Sequence, residues 1–161
     1  MKASPVILDG LAEVLAAELT AISQYFVHHA MAESWGYNVL AKSIKQESMD
    51  EMKHAEMLTE RILYYDGVPN LQRLGKITVG PTVPEMIKCD YELECDAVAR
   101  LNRLIGAFQK EGDHGAAGLL MGILADEEHH IDWLENQMHL MQSLGMQCYL
   151  SRQYDPAGAA D

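Results

Sequence analysis

Three things are scarce in this chain of 161 residues, and each scarcity closes a class of function. The cysteines are only Cys89, Cys95 and Cys148, an odd number with no C-x-x-C spacing. Neither a disulfide framework nor a structural zinc site is expected, and a reducing cytoplasm suits the chain. Basic side chains number 12 against 24 acidic ones, for a net charge of −12. A nucleic-acid partner would need a basic face, whereas metal cations are drawn to an acidic one. Long apolar runs are absent too, so no membrane span is expected, and Met1-Lys2-Ala3-Ser4-Pro5 lacks the apolar core of a secretion signal.

What is present is helical periodicity. Ser4 as N-cap and Pro5 at the first helical position open a helix running to about Glu33, with Leu8, Leu11, Leu15, Glu18, Ile22 and Tyr25 on one stripe. Residues 34–38 read as a tight connection with Asn38 as the next N-cap. A second helix carries Leu40, Ile44, Glu47, Glu51, His54, Leu58 and Ile62 along one face and stops at Asp66-Gly67. Residues 66–82 hold Pro69, Pro81 and three glycines, with little periodicity. Seventeen extended residues reach roughly 55 Å, enough to cross back along a helix of about 40 Å.

Thr82-Val83-Pro84-Glu85 has the form of a capping box and opens a third helix with Ile87, Tyr91, Glu94, Val98, Leu101 and Ile105 inside. A turn at Glu111-Gly112-Asp113 leads to a fourth helix, to about Leu144, with Leu120, Ile123, Glu127, His130, Leu134 and Met141 inside. Residues 146–154 are expected to add one short helix. The predicted fold is therefore all-α: a four-helix bundle, with a long crossover between its second and third helices and a short fifth helix. It occupies residues 1–154 as one domain, followed by a mobile tail at 155–161.

The motif Glu51-x-x-His54 recurs as Glu127-x-x-His130, and an offset of 76 also relates Glu18 to Glu94. Three residues of separation put carboxylate and imidazole on one helix face. Measured from the turns near Trp35 and Gly112, all six groups fall within about 4 Å of one level in mid-bundle. No Lys or Arg stands three or four residues from any of the four glutamates, so salt bridging along the inner stripes does not compensate them. Converging carboxylates without cations would cost several kcal/mol each. Two divalent cations balance four carboxylates and two neutral imidazoles. A Glu from each of two helices and Glu-x-x-His from each of the others is the donor set of ferritin-like di-iron and di-manganese proteins, and oxygen and imidazole ligands suit iron or manganese.

Over residues 4–154 the chain resembles bacterioferritins, through Glu18-Leu19-Thr20-Ala21-Ile22-Ser23-Gln24-Tyr25-Phe26, Met49-Asp50-Glu51-Met52-Lys53-His54-Ala55, Gly67-Val68-Pro69-Asn70-Leu71-Gln72 and Glu127-Glu128-His129-His130-Ile131-Asp132-Trp133-Leu134-Glu135. The resemblance implies a ferroxidase centre with two iron ions per subunit. Glu18 and His54 would hold one iron, Glu94 and His130 the other, with Glu51 and Glu127 bridging. It implies haem b shared between two subunits through Met52, whose direction, about 100° round the helix from Glu51, suits a dimer contact beside the apolar stripe of Leu19 and Phe26. Tyr25, by its spacing either core packing or a neighbour of the site, is by resemblance an electron donor to it.

The implied activity is Fe2+ oxidation by O2 or H2O2, with ferric mineral stored in a hollow cytoplasmic 24-mer built from haem-bridged dimers. A second subunit type is possible in that shell, and a ferredoxin is the expected partner for iron release. The alternatives are a rubrerythrin-type di-iron peroxidase that stores no iron, or a haem electron-transfer bundle. Gln46 departs from the family, which often carries a histidine there that binds iron on the inner surface with the aspartate matching Asp50. His28, His29, His114, His129 and His139 are read as surface or packing residues.

Overall fold

Both hairpin turns are built the same way, and the repeat is visible in their hydrogen bonds. In a computed structural model describing residues 2–155, α1 (Pro5–Ser34) ends at Gly36 and α3 (Val83–Lys110) at Gly112, with φ of 81° and 77°. A residue with a Cβ is strained in this left-handed region, so glycine is the natural terminator. The next N–H then closes back onto the helix: Tyr37 onto the Ala32 carbonyl and Asp113 onto that of Phe108, each at 3.0 Å. These turns start α2 (Asn38–Tyr64) and α4 (His114–Leu144).

The α2 end uses the same closure, Gly67 N–H to the Ile62 carbonyl, but here Asp66 takes the positive φ, 59°. Gly67 is required for a different reason: a Cβ there would lie 2.9 Å from side chains of Ile62 and Leu8. Asn38 is the first helical residue rather than the N-cap, a place Tyr37 takes, and its amide donates to the Asp155 carbonyl at 3.1 Å. α5 (Met146–Ser151) is the expected short helix, after Gly145. Apart from Asp155, the expected tail at 155–161 lies outside the described residues.

α1 packs on α2 and α3 on α4, and the two hairpins meet through α1 against α3 and α2 against α4. The apolar interior is split in two. One cluster, with Leu11, Leu15, Leu58, Ile62, Leu104 and Phe108, fills the end near the start of α1. The other, with Tyr25, Leu40, Ile44, Ile87, Leu134 and Tyr149, fills the opposite end. The six predicted ligands lie between them, as a polar layer inside an otherwise apolar core.

The crossover, residues 66–82, climbs the α1–α3 face, and polar groups fasten it there. Thr20, Gln24 and His28, one per turn of α1, accept hydrogen bonds from the backbone N–H groups of Gly75 (2.8 Å), Thr78 (3.0 Å) and Gly80 (3.0 Å). Because His28 Nε2 accepts from Gly80, its proton sits on Nδ1 and is donated to Asp90 at 2.9 Å. Asp90 also accepts from Gln24 Nε2 at 2.8 Å. All four clasp side chains are buried. The crossover's own apolar side chains, Val68, Leu71, Leu74, Ile77 and Val79, are exposed, so they do not hold it down within one chain. His28 is thus no surface histidine: it is fully buried and clasps the crossover.

Candidate metal centre

The helical stripes bring Glu18 from α1, Glu51 and His54 from α2, Glu94 from α3, and Glu127 and His130 from α4 to one level, each 1–7% exposed. Their ligand atoms form two sets, each with all atoms within 4.8 Å of one another: Glu18, Glu51, His54 and Glu127, and Glu51, Glu94, Glu127 and His130. Glu51 and Glu127 belong to both. Each has one oxygen toward either imidazole: Glu51 lies 3.0 Å from both His54 Nδ1 and His130 Nδ1, and Glu127 lies 3.3 Å and 3.0 Å from them.

Proximity here is not the same as satisfaction. Glu51 Oε1, Glu127 Oε2 and His130 Nδ1 are buried without an aligned hydrogen bond, although each oxygen lies 3.0 Å from that nitrogen. Buried polar atoms in folded proteins are normally paired. Lone pairs that converge without donors between them are what a cation satisfies, and the donor set fits two divalent ions of the iron or manganese type.

Without metal, protons do the neutralising. Burial pushes the carboxyls of Glu18 and Glu94 well above the usual carboxylate range, with neighbouring ionised glutamates adding to the effect. Burial alone would lower the histidines, but the surrounding carboxylates raise both well above an ordinary imidazole: Glu127, Glu18 and Glu51 for His54, and Glu127, Glu47, Glu51 and Glu94 for His130. Burial also opposes ionisation of Glu51, yet the two histidines beside its oxygens hold it down to about 2.

A pH dependence follows. Glu18, Glu94, His54 and His130 hold protons in the folded state that the unfolded chain releases above about pH 4.3 for Glu and 6.5 for His. Their stabilisation is complete below those values and drains away as pH rises toward the folded-state values. Glu51 has the opposite sign: its contribution is present above about 4.3 and is lost as pH falls toward 2. The metal-free protein is therefore expected to lose thermal stability as pH rises above about 4.3, and further above about 6.5, where the unfolded chain gives up the protons that these four groups keep. Added divalent metal, which displaces the protons, is expected to stabilise more at each higher pH. Thermal unfolding at a series of pH values, with and without metal, measures both.

Tyr25 is fully buried and its hydroxyl donates to Glu94. Burial raises its pKa, reinforced by the charges of Glu94 and Asp90, so the phenol stays protonated. Two cavities flank the layer. One of about 450 Å3 opens between α1 and α3, floored by the four glutamates and edged by the crossover from Arg73 to Lys76. The other, about 530 Å3, opens between α2 and α4 onto His54 and His130, beside Glu47, Asp50 and Asp126. Met52 stands on the outside of α2, 57% exposed, as its position beside Glu51 predicts, and Phe26 on α1 is 66% exposed.

Gln46 and Asp50 are also bound to each other. The Gln46 amide donates to Asp50 at 3.1 Å, and Lys53 donates to the same carboxylate at 2.6 Å. Among the described residues, no helix is long and apolar enough to cross a membrane.

Comparison with known proteins agrees with this architecture. The model of the ferritin-like domain matches residues 8–144. A bacterioferritin of Streptomyces coelicolor is 47% identical, covering 98% of each chain. One from Mycobacterium leprae is 46% identical over 92% of this chain and 94% of its own. A bacterial ferritin of Synechocystis is 41% identical over 95% and 99%. Among solved structures, Mycobacterium tuberculosis bacterioferritin BfrA superposes with a TM-score of 0.95 at 43% identity, covering 98% of this chain and 99% of that one.

Proposed function

The chain belongs to the bacterioferritin family of ferritin-like proteins, and from that premise we propose that it stores iron, oxidising Fe2+ at the six-residue layer. The observation that carries this reading is the pair of overlapping ligand sets sharing Glu51 and Glu127.

Two Fe2+ substrates bind, one in the Glu18–His54 set and one in the Glu94–His130 set, and displace the protons held there. Each gives up one electron. One O2, or one H2O2, takes the pair together with two protons, leaving H2O2 or two waters. The bridging carboxylates keep both irons within reach of a single oxidant and lower the cost of the extra positive charge as Fe3+ forms. Tyr25 donates to Glu94; where the oxidant is left one electron short, the phenol would supply that electron and pass its proton to that carboxylate. Fe3+ then leaves toward the interior of a cytoplasmic 24-mer shell and accumulates as mineral.

Met52 offers a soft thioether on the outer face of α2. One chain provides one such ligand, so haem b would be held by Met52 from each of two chains. When bound it supplies a redox centre for reducing stored mineral, with a ferredoxin as the electron source.

Aerobic Fe2+ loading followed by particle sizing and iron analysis tests the reading. A shell of 24 chains carrying iron far beyond two per chain is expected. A small oligomer stopping at two irons per chain would favour the peroxidase alternative, and a particle that takes up no iron would favour a haem bundle.

A further inference from the structure

Both copies of the ligand motif begin with an aspartate: Asp50-Glu51-x-x-His54 and Asp126-Glu127-x-x-His130. The two aspartates have separate fates. Asp126 Oδ2 reaches from α4 to α2 and meets His54 Nε2 in an aligned hydrogen bond of 3.2 Å. Asp50, its counterpart at the 76-residue offset, is taken by Gln46 and Lys53. The same offset explains why: the positions matching Gln46 and Lys53 are Gly122 and His129. Gly122 has no side chain, and nothing on that turn holds Asp126 back. On the other side of the layer, Glu47 lies 2.8 Å from His130 Nε2, but its Oε2 is not aligned as an acceptor.

We propose that Asp126 is a positioning residue for the metal centre, fixing His54 with its proton on Nε2 and its Nδ1 lone pair toward the metal. This rests on the metal reading above. An imidazole can bind metal through either nitrogen, and the partner of the other nitrogen selects which one. His54 Nδ1 is the nitrogen that faces Glu18, Glu51 and Glu127, at 3.0–3.3 Å. A carboxylate at Nε2 keeps the proton there, stops the ring from flipping, and makes Nδ1 a better donor. Glu47 approaches His130 Nε2 at 2.8 Å without that alignment, and Asp126 acts on the Glu18–His54 half. Asp126 is 57% exposed, so removing it does not open the core.

Co2+ titration of the metal-free protein, followed by visible absorption and equilibrium dialysis, tests this. The wild type is expected to bind two Co2+ per chain. In Asp126→Ala one of the two should weaken by about 10–100-fold, the usual effect of losing such a partner. Asp126→Glu should restore most of the loss, and the thermal midpoint of the metal-free variants should stay at the wild-type value. In a His54→Ala background the Asp126→Ala change should add nothing, because its effect runs through that ring. Wild-type affinities in Asp126→Ala, or an equal further loss in the His54→Ala background, overturn the assignment. If the wild type itself takes up no Co2+, the metal reading fails first and this inference with it.

Discussion

Replacing His130 by alanine is expected to slow the fast phase of Fe2+ oxidation by more than about 100-fold, since loss of a mere supporting contact to a metal ligand already costs about 10–100-fold. Glu94, Glu51 and Glu127 would remain in that half of the centre, but its one nitrogen donor would be gone. A vacant half also stops the paired reaction, because one Fe2+ gives only one of the two electrons that O2 takes in forming H2O2. His54→Ala should behave alike, by symmetry of the repeat. His139→Ala is the control: this histidine is on the same helix but exposed, and its loss should leave the rate unchanged. Stopped-flow absorbance after mixing with aerobic Fe2+ reads all three.

Asp90→Ala should be strongly destabilising although it lies outside the metal layer. It leaves His28 Nδ1–H and Gln24 Nε2 as buried donors with no acceptor, at about 1–3 kcal/mol each. A total of about 4 kcal/mol lowers the melting midpoint of a chain this size by roughly 10 °C. The crossover should loosen with it, because the two side chains freed on α1 are those that hold the N–H groups of Thr78 and Gly80. Hydrogen exchange should accelerate at those two amides more than at Gly75, which depends on Thr20. An unchanged midpoint would mean that the clasp contributes nothing to holding the crossover.

The metal layer was legible in the sequence because helical geometry converts spacing into direction: Glu-x-x-His twice, with a glutamate on each partner helix, leaves little freedom. The clasp is not legible in the same way. Its signal was present as Thr20, Gln24 and His28, four residues apart on a face beside the Glu18 stripe. Its partners, however, are backbone N–H groups of an aperiodic segment more than fifty residues away. Periodicity shows where α1 turns a polar face and says nothing of what lies on it, so by itself it makes His28 a surface or packing residue. Asp126 is hidden for a related reason: its reach across to α2 depends on the absence, at Gly122 and His129, of the competitors that hold Asp50. The exchange of roles between Asp66 and Gly67 was equally hidden, since it turns on the close approach of Leu8 and Ile62.

That one chain closes a two-metal centre from its own four helices is tested by anaerobic Fe2+ titration monitored calorimetrically. Two Fe2+ per chain should bind with release of protons to the buffer, and Glu18→Ala and Glu94→Ala should each lose one of the two. Binding of fewer than two by the wild type, or an undiminished pair in those variants, would contradict it.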